Sequence, residues 1–280
     1  MDHKKARSTD SGSGALPAGR TARFSLVGVG PGDPELLTLK AASRIAQADC
    51  LIAPKGRTNG ASSALSIAAG AVDISGKEIL EAHFPMKHVR LGGEKDQDVV
   101  RAWKDASSQV LSRLQRGMNV VFPTLGDPSI YSTAFYLLAV VQEQAADSGM
   151  ELRAEMIPGI TAMSSCSCGV LSPLALGDDI LSVIPAAFED ERLEQILLQH
   201  DSIVLMKVHN SMDRLVPLLE RTGLKEKAVL VERCGMADQR IFHDIEEAAS
   251  RRLHYFSTIL VRRRGLDCVT SWQQGPCHEG

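Results

Sequence analysis

"VGVGPGDPELLTLK", Val27 to Lys40, decides the fold of this 280-residue chain. An apolar run enters three alternating glycines (Gly28, Gly30 and Gly32), then Asp33-Pro34, then residues at helical spacing. Strand, glycine turn, helix is the opening unit of a doubly wound α/β sheet. The same segment departs from the grip on a dinucleotide, which wants G-x-G-x-x-G and a carboxylate about 20 residues later, at the end of the second strand. Here the second strand ends in Ala53-Pro54-Lys55, and Asp49 stands before that strand. Asp33 ahead of Pro34 makes a good N-cap and first-turn pair. It consumes amides and sets negative charge where a phosphate would have to lie. A P-loop is excluded too, since no Gly-Lys-Ser/Thr follows. The turn therefore predicts close backbone approach to something neutral or cationic.

Outward from this turn, strands and helices alternate. "FSLVGVG" is the first strand, followed by a helix from Pro34 to Ala48. "DCLIAP" is a short second strand closed by Pro54, Ala61 to Ala69 a helix, and "EILEAHF" a third strand. A long helix covers Asp98 to Arg116; "NVVFPTLGD" is the fourth strand and leads into a helix from Pro128 to about Ser148. "LRAEMIPG" is the fifth, running into a helix at Thr161. This alternation predicts a mostly parallel five-stranded sheet covered on both faces. After about Leu171 the rhythm changes. "ILSVIPA", "SIVLMKV", "AVLVE", "RIFHDI" and "FSTILVRR" read as strands, with helices at Glu189–Gln199, Met212–Arg221 and Glu246–Arg252. The third and fourth of these strands follow each other without a helix, so the second sheet should be mixed. The expected plan is two α/β domains, residues 23–170 and 171–264, with the active site in the cleft between them. "GVLSPLALGDD" is the linker, and residues 1–22 and 265–280 are loose tails.

Composition narrows the function. Charged residues make up 23% and hydrophobic ones 44%, ordinary for a globular protein, and the net charge of −3 counts against nucleic acid as a partner. No apolar stretch approaches the ~20 residues of a membrane span. The basic N-terminus lacks the apolar core of a secretory signal, so a cytoplasmic location is expected. The cysteines (50, 166, 168, 234, 268 and 277) form no C-x-x-C pair, and read as small buried hydrophobes in a reducing compartment rather than as metal ligands.

A second Gly-Asp-Pro, in "FPTLGDPSIYST", ends the fourth strand. Ligands of open α/β sheets bind beyond the carboxyl ends of the strands. If the first and fourth strands are neighbours, Asp33 and Asp127 face one crevice. Each could instead be a plain helix cap. Two carboxylates in a cleft call for a cation, and a sulfonium that also carries an ammonium group would supply one.

In this order "VGVGPGDPELLT", "LGDPSIYST" and "IPGITA" resemble the tetrapyrrole methylases, S-adenosylmethionine-dependent enzymes of two α/β domains. The likeness runs from about Arg23 to Arg264. "HFPM", Ala102-Trp103, "TLGDPSIYSTAFYL", "GDDILSVIPA" and "VLMKV" resemble the branch that methylates C20 of precorrin-2 or cobalt-factor II. Other ring methylases, and the diphthine-type and ribosomal-RNA methylases that share the fold, are the alternatives within the family; a nucleotide-binding oxidoreductase is the alternative outside it. The resemblance implies a methyl donor held mostly by backbone between the domains. It assigns Pro31, Leu125, Gly126, Asp127, Ile130, Thr161, Ala162, Met206, Cys234 and Thr258 to the S-adenosylmethionine site, with S-adenosylhomocysteine as product. "VERCGMADQR" departs from the Glu-Asn-Gly-Thr of the siroheme enzymes, which puts Cys234 where they carry glycine. A homodimer is implied as well.

Displacement from a sulfonium needs little beyond positioning and a base for the proton that leaves the ring carbon. Tyr131 and Asp33 are the candidate catalytic residues. The acetates and propionates of a tetrapyrrole call for cations. Lys55, Lys87, His88, Arg90, Lys207 and Arg233 stand near strand ends or loops, and sequence alone does not choose among them.

Overall fold

A computed structural model describes residues 22–55, 62–84, 96–186 and 188–267. The readings that fall on Lys87, His88, Arg90, Cys268, Cys277 and the two chain ends lie outside these residues.

The first sheet contains β1 (Phe24–Gly28), β2 (Cys50–Lys55), β3 (Glu78–His83), β4 (Val120–Thr124) and β5 (Ala154–Ile157) in the order β3-β2-β4-β1-β5. Every pairing is parallel. Alternate residues feed opposite faces, as a pleated strand requires. Phe24, Leu26, Ile52 and Phe122 pack under α3 (Gln97–Gln115) and α4 (Ala134–Asp147). Val27, Leu51 and Val121 pack under α1 (Leu39–Ala46) and α2 (Ser63–Ala71). β1 leads to β2 on one side, whereas β4 leads across β1 to β5 on the other. Their shared carboxyl edge is therefore the topological switch point, where a doubly wound sheet opens a crevice.

The second sheet has the order β6-β7-β10-β8-β9, built from β6 (Leu181–Pro185), β7 (Ser202–Met206), β8 (Ala228–Glu232), β9 (Arg240–Phe242) and β10 (Ser257–Arg262). It is mixed, as expected: β6 and β7 are parallel, and the remaining pairs antiparallel. The helices α6 (Asp190–Gln199), α7 (Met212–Arg221) and α8 (Ile245–Ala249) cover one face through Leu193, Leu197, Leu215 and Ile245. The other face is covered by α5 (Ala162–Gly169), which places Cys166 against Val204, Val229, Val231 and Leu260. The helix that follows the first sheet is thus packed on the second, and it ties the two halves together.

Of the element boundaries that differ from the sequence reading, three have a clear local cause. The helix expected from Pro34 is a 3₁₀ turn, Pro34–Leu36, separated from α1 by extended Leu37 and Thr38; Thr38 Oγ1 then caps α1 on the Ala41 amide. The helix expected from Pro128 starts only at Ala134, because Asp127 folds a side-chain turn onto Ser129 and Tyr131 adopts a left-handed φ of 49°. β2 runs through Pro54 to Lys55. It has left β4 after Leu51, so the missing proline amide costs no hydrogen bond on that side.

The linker "GVLSPLALGDD" has no periodicity yet is firmly tied. The Asp179 carboxylate is fully buried and accepts from Arg262 Nη2 (2.9 Å) and from the Leu176 amide (2.9 Å). Arg262 also donates to the Pro173 carbonyl, 2.8 Å away. A buried charge is tolerated only when so partnered.

Candidate active site

The carboxyl ends of β1, β4 and β5 meet backbone to backbone. Gly30 and Gly126 form an isolated antiparallel bridge, with N···O distances of 3.2 and 2.7 Å. A Cβ on Gly28 would stand 2.6 Å from the Gly159 amide nitrogen and 2.7 Å from the Gly126 carbonyl oxygen. On Gly159 it would be 2.3 Å from that same carbonyl. Gly32 faces the other sheet, where its Cβ would lie 2.7 Å from the Cys234 carbonyl oxygen. The expectation that the glycines admit a ligand to the first turn needs correcting: Gly28 and Gly32 admit the chain itself. At the switch point the crevice is zipped shut, and no dinucleotide pyrophosphate fits between β1 and β4.

Asp33 Oδ1 accepts from the Glu35 amide at 2.9 Å, a cap on the 3₁₀ turn, while the Asp33 backbone lies against Gly235 of the second half. Asp127 is not a helix cap. Only 8% exposed, it accepts the Ser129 amide (2.7 Å) and hydroxyl on Oδ1 and the Gly159 amide on Oδ2 (2.9 Å). It therefore staples the Gly-Asp-Pro loop to the Pro-Gly-Ile-Thr turn 32 residues later. The two carboxylates do not act as a matched pair on one ligand.

Gly126 is packed less tightly than Gly28 and Gly159. Gly126 has φ of +69°, and a Cβ there would find its nearest neighbours, the Ala162 amide and the Ile160 carbonyl, 3.9 Å away. The Gly-Asp-Pro loop and the Thr161–Ala162 turn thus lie within van der Waals reach of each other. Thr161 Oγ1 accepts from the Ser164 amide, capping α5. Pro31 is buried beside the turn.

Met206 and Thr258 are register partners at the ends of β7 and β10. Thr258 is buried and Met206 half-buried, in a cluster with Cys166 and Cys234. The Cys234 sulfur lies 3.2 Å from Ser165 Oγ. A hydrogen bond with Cys166 lowers the Cys234 pKa to about 7, against the opposing effect of burial. That same bond, together with burial, pushes Cys166 up. The cysteines expected as buried hydrophobes are so at 50, 166 and 234, but Cys168 is exposed. Burial raises the Cys50 thiol to about 11.

Tyr131 spans the two halves. Its ring is about half exposed, yet its hydroxyl donates to the Val183 carbonyl of β6 at 2.9 Å. Burial raises the phenol pKa. Lys207, the residue after Met206, holds its ammonium 5.5 Å from the Tyr131 ring centroid. Sequence reasoning gave no sign of this contact, because it depends on which strand ends face each other. Among the other cations named above, Lys55 pairs with Glu81 at 2.5 Å and Arg233 with Asp238 at 2.6 Å.

Comparison with known proteins places these features in a family. A model of the tetrapyrrole (corrin/porphyrin) methylases matches residues 23–249. The chain is 34% identical over 238 residues to a cobalt-precorrin-2 C(20)-methyltransferase of Salmonella typhimurium, covering 84% of this chain and 94% of that one. To a precorrin-2 C(20)-methyltransferase of a Sinorhizobium species it is 31% identical over 239 residues, 84% and 93% of the two chains. The fold resembles a uroporphyrin-III C-methyl transferase from Thermus thermophilus solved in complex with S-adenyl homocysteine, at a TM-score of 0.60 and 19% identity, covering 86% and 98%.

Proposed function

Because the chain belongs to the tetrapyrrole (corrin/porphyrin) methylases, we propose that it transfers the methyl group of S-adenosylmethionine to C20 of precorrin-2 or cobalt-factor II, as a cytoplasmic homodimer serving cobalamin biosynthesis. The observation that carries this reading is the 34% identity to a C(20)-methyltransferase over 94% of that protein's length. The matched span includes both Gly-Asp-Pro loops, the Pro-Gly-Ile-Thr turn and the Met206 strand end.

The residues present fit the donor. Main-chain amide and carbonyl groups of Ile160 and Ala162 approach Gly126 without clashing with it, and such groups can hold adenosine and amino-acid polar atoms. In the second half Met206, Cys234 and Thr258 offer soft or weakly polar groups. Such groups leave a sulfonium exposed to attack, whereas a carboxylate would neutralise it. When bound, S-adenosylmethionine would supply an electrophilic methyl carbon that a ring carbon attacks in line, the C–S bond breaking and S-adenosylhomocysteine leaving. Leu125, Gly126, Ile130, Thr161 and Ala162 orient the donor, and Asp127 holds two of those loops in register. Pro31 stiffens the first loop against them. Productive geometry needs the ring carbon about 3–3.5 Å from the methyl, a demand on rigidity that the stapled loops meet.

For the proton that leaves the ring carbon, Asp33 is the better acceptor of the two candidates. Its Oδ1 is occupied by the cap, while Oδ2 has no hydrogen-bond partner among the described residues. Tyr131 has a raised pKa and commits its proton to Val183, so it serves as a strut between the halves.

Incubating the protein with S-adenosylmethionine and either precorrin-2 or cobalt-factor II tests the reading. Mass spectrometry should show one added methyl unit on one of them. Modification of a different ring intermediate alone would reject the C20 assignment.

A further inference from the structure

We propose that Lys207 anchors a carboxylate side arm of the tetrapyrrole at the junction of the two halves. This deepens the proposed function and rests on its substrate class.

Position comes first. Lys207 directly follows Met206, which walls the proposed methyl site, so an arm reaching Lys207 belongs to a ring lying over that site. Charge comes second. Near the ends of β2 and β8, Lys55, Arg233 and Arg240 are each bound to a carboxylate, Glu81, Asp238 and Glu232 in turn. Lys207 has no carboxylate within 4 Å among the described residues; its partner is the face of Tyr131, 5.5 Å from the ring centroid. A π-face orients an ammonium without neutralising it.

Third, both partners are held in place. Lys207 has φ of 62° and Tyr131 has φ of 49°, left-handed values that a side-chain-bearing residue adopts at a cost. The Tyr131 hydroxyl is fixed to Val183. Lys207 is exposed, so an incoming ligand can reach it, and partial burial lowers its pKa. An oriented cation without a carboxylate partner is arranged for an anion that arrives with the substrate. Acetate and propionate arms are such anions, and a charge-assisted hydrogen bond is the contact they would make.

Initial-rate kinetics on the full chain test this, using whichever of precorrin-2 and cobalt-factor II the wild type methylates. Lys207→Met keeps the stem and removes the charge. It should raise the KM for the ring compound by about 10- to 100-fold, the loss expected for one charge-assisted bond. Affinity for S-adenosylhomocysteine should stay within about twofold by calorimetry, and Lys207→Arg should restore most of the KM. An unchanged KM in Lys207→Met overturns the proposal and leaves the proposed function standing. So does a parallel loss of S-adenosylhomocysteine affinity, which would put Lys207 on the donor instead. Failure of Lys207→Arg to rescue, with a lowered melting temperature in both variants, assigns Lys207 a structural role and rejects the anchor. A wild type that binds S-adenosylhomocysteine but methylates neither ring rejects the proposed function itself, and the anchor with it.

Discussion

Replacing Asp127 with alanine should loosen the cradle more than loss of one loop contact would. The carboxylate accepts three hydrogen bonds: two from Ser129, and one from Gly159 across 32 residues of chain. Ser129 is exposed, so water replaces much of what it loses and that side contributes about 1 kcal/mol. The Gly159 amide is different. It is packed against Gly28 and Gly126 with no room for another acceptor, and a bond from it to a buried charge is worth about 1.5–3 kcal/mol. A single water entering the vacated polar space would bring the total toward its lower end. The sum is about 2–4 kcal/mol, or about 4–16 °C in melting temperature at about 2–4 °C per kcal/mol for a domain of this size. Asp127→Asn, with one carbonyl oxygen for two directions, should fall between alanine and wild type. If the stapled loops are the donor cradle, S-adenosylhomocysteine should also bind Asp127→Ala at least about tenfold more weakly, a difference of about 1.4 kcal/mol. Differential scanning fluorimetry and titration calorimetry read the two effects. A melting point within about 1 °C of wild type would refute the staple. A clear loss of stability with unchanged affinity would refute the cradle.

Other perturbations probe different parts of the same frame. Gly159→Ala puts a methyl 2.3 Å from the Gly126 carbonyl oxygen, where only backbone could move, and should leave little folded protein by circular dichroism; a normally folded, donor-binding variant would contradict the packing. Asp179→Ala strands the buried Arg262 guanidinium and should destabilise by about 3–5 kcal/mol in chemical denaturation, whereas a change below about 1 kcal/mol would mean the pair is idle. Burial pushes the Glu232 pKa up, but hydrogen bonds from Arg240 and the His254 amide outweigh it and leave the carboxyl below its ordinary 4.5. A carboxyl depressed by folding stabilises above its unfolded pKa and loses that contribution as pH falls through the folded one. The stability gap between wild type and Glu232→Gln should therefore be full near neutrality and shrink below about pH 4.5; a gap that persists unchanged to pH 3 would contradict the assignment.

The main architecture was legible because it rests on local periodicity. Alternating apolar runs and helical stripes identified both sheets, and the adjacent strands "AVLVE" and "RIFHDI" announced an antiparallel pair that the structure contains. What stayed hidden depends on contacts far apart in sequence. Nothing near Gly28 indicates that its neighbour is Gly159, and nothing near Asp127 points to the amide it holds. The spacing after Pro128 fits a helix, but the Asp127 side-chain turn and the reversed φ at Tyr131 postpone it to Ala134. In the linker, Asp179 reads as an ordinary turn residue; its partner Arg262 is 83 positions away. The residues proposed to hold the donor come from motif resemblance, whereas the contact between Tyr131 and Lys207 needed the fold.

The distribution of backbone strain supports placing the chemistry between the sheets. Four described residues other than glycine have positive φ: Tyr131, Leu171, Lys207 and Arg233. Three of them follow strands whose carboxyl ends meet at the junction. Pairing explains why the strain falls there in the second sheet. The β7–β10 register ends at Met206–Thr258 and the β8–β10 register at Glu232–Ser257, so Lys207 and Arg233 are the first residues past the paired strands, Arg233 with its amide still bonded to the Phe256 carbonyl at 2.7 Å. Glycine would make each turn without a Cβ penalty of about 1 kcal/mol. At three of the four positions the side chain makes a contact that glycine lacks. Arg233 supplies an ion pair to Asp238, and Tyr131 supplies a bond to Val183. Lys207 makes no such bond within the described structure. Its one partner in the described structure is the Tyr131 ring face, which leaves its charge available to the anion proposed above.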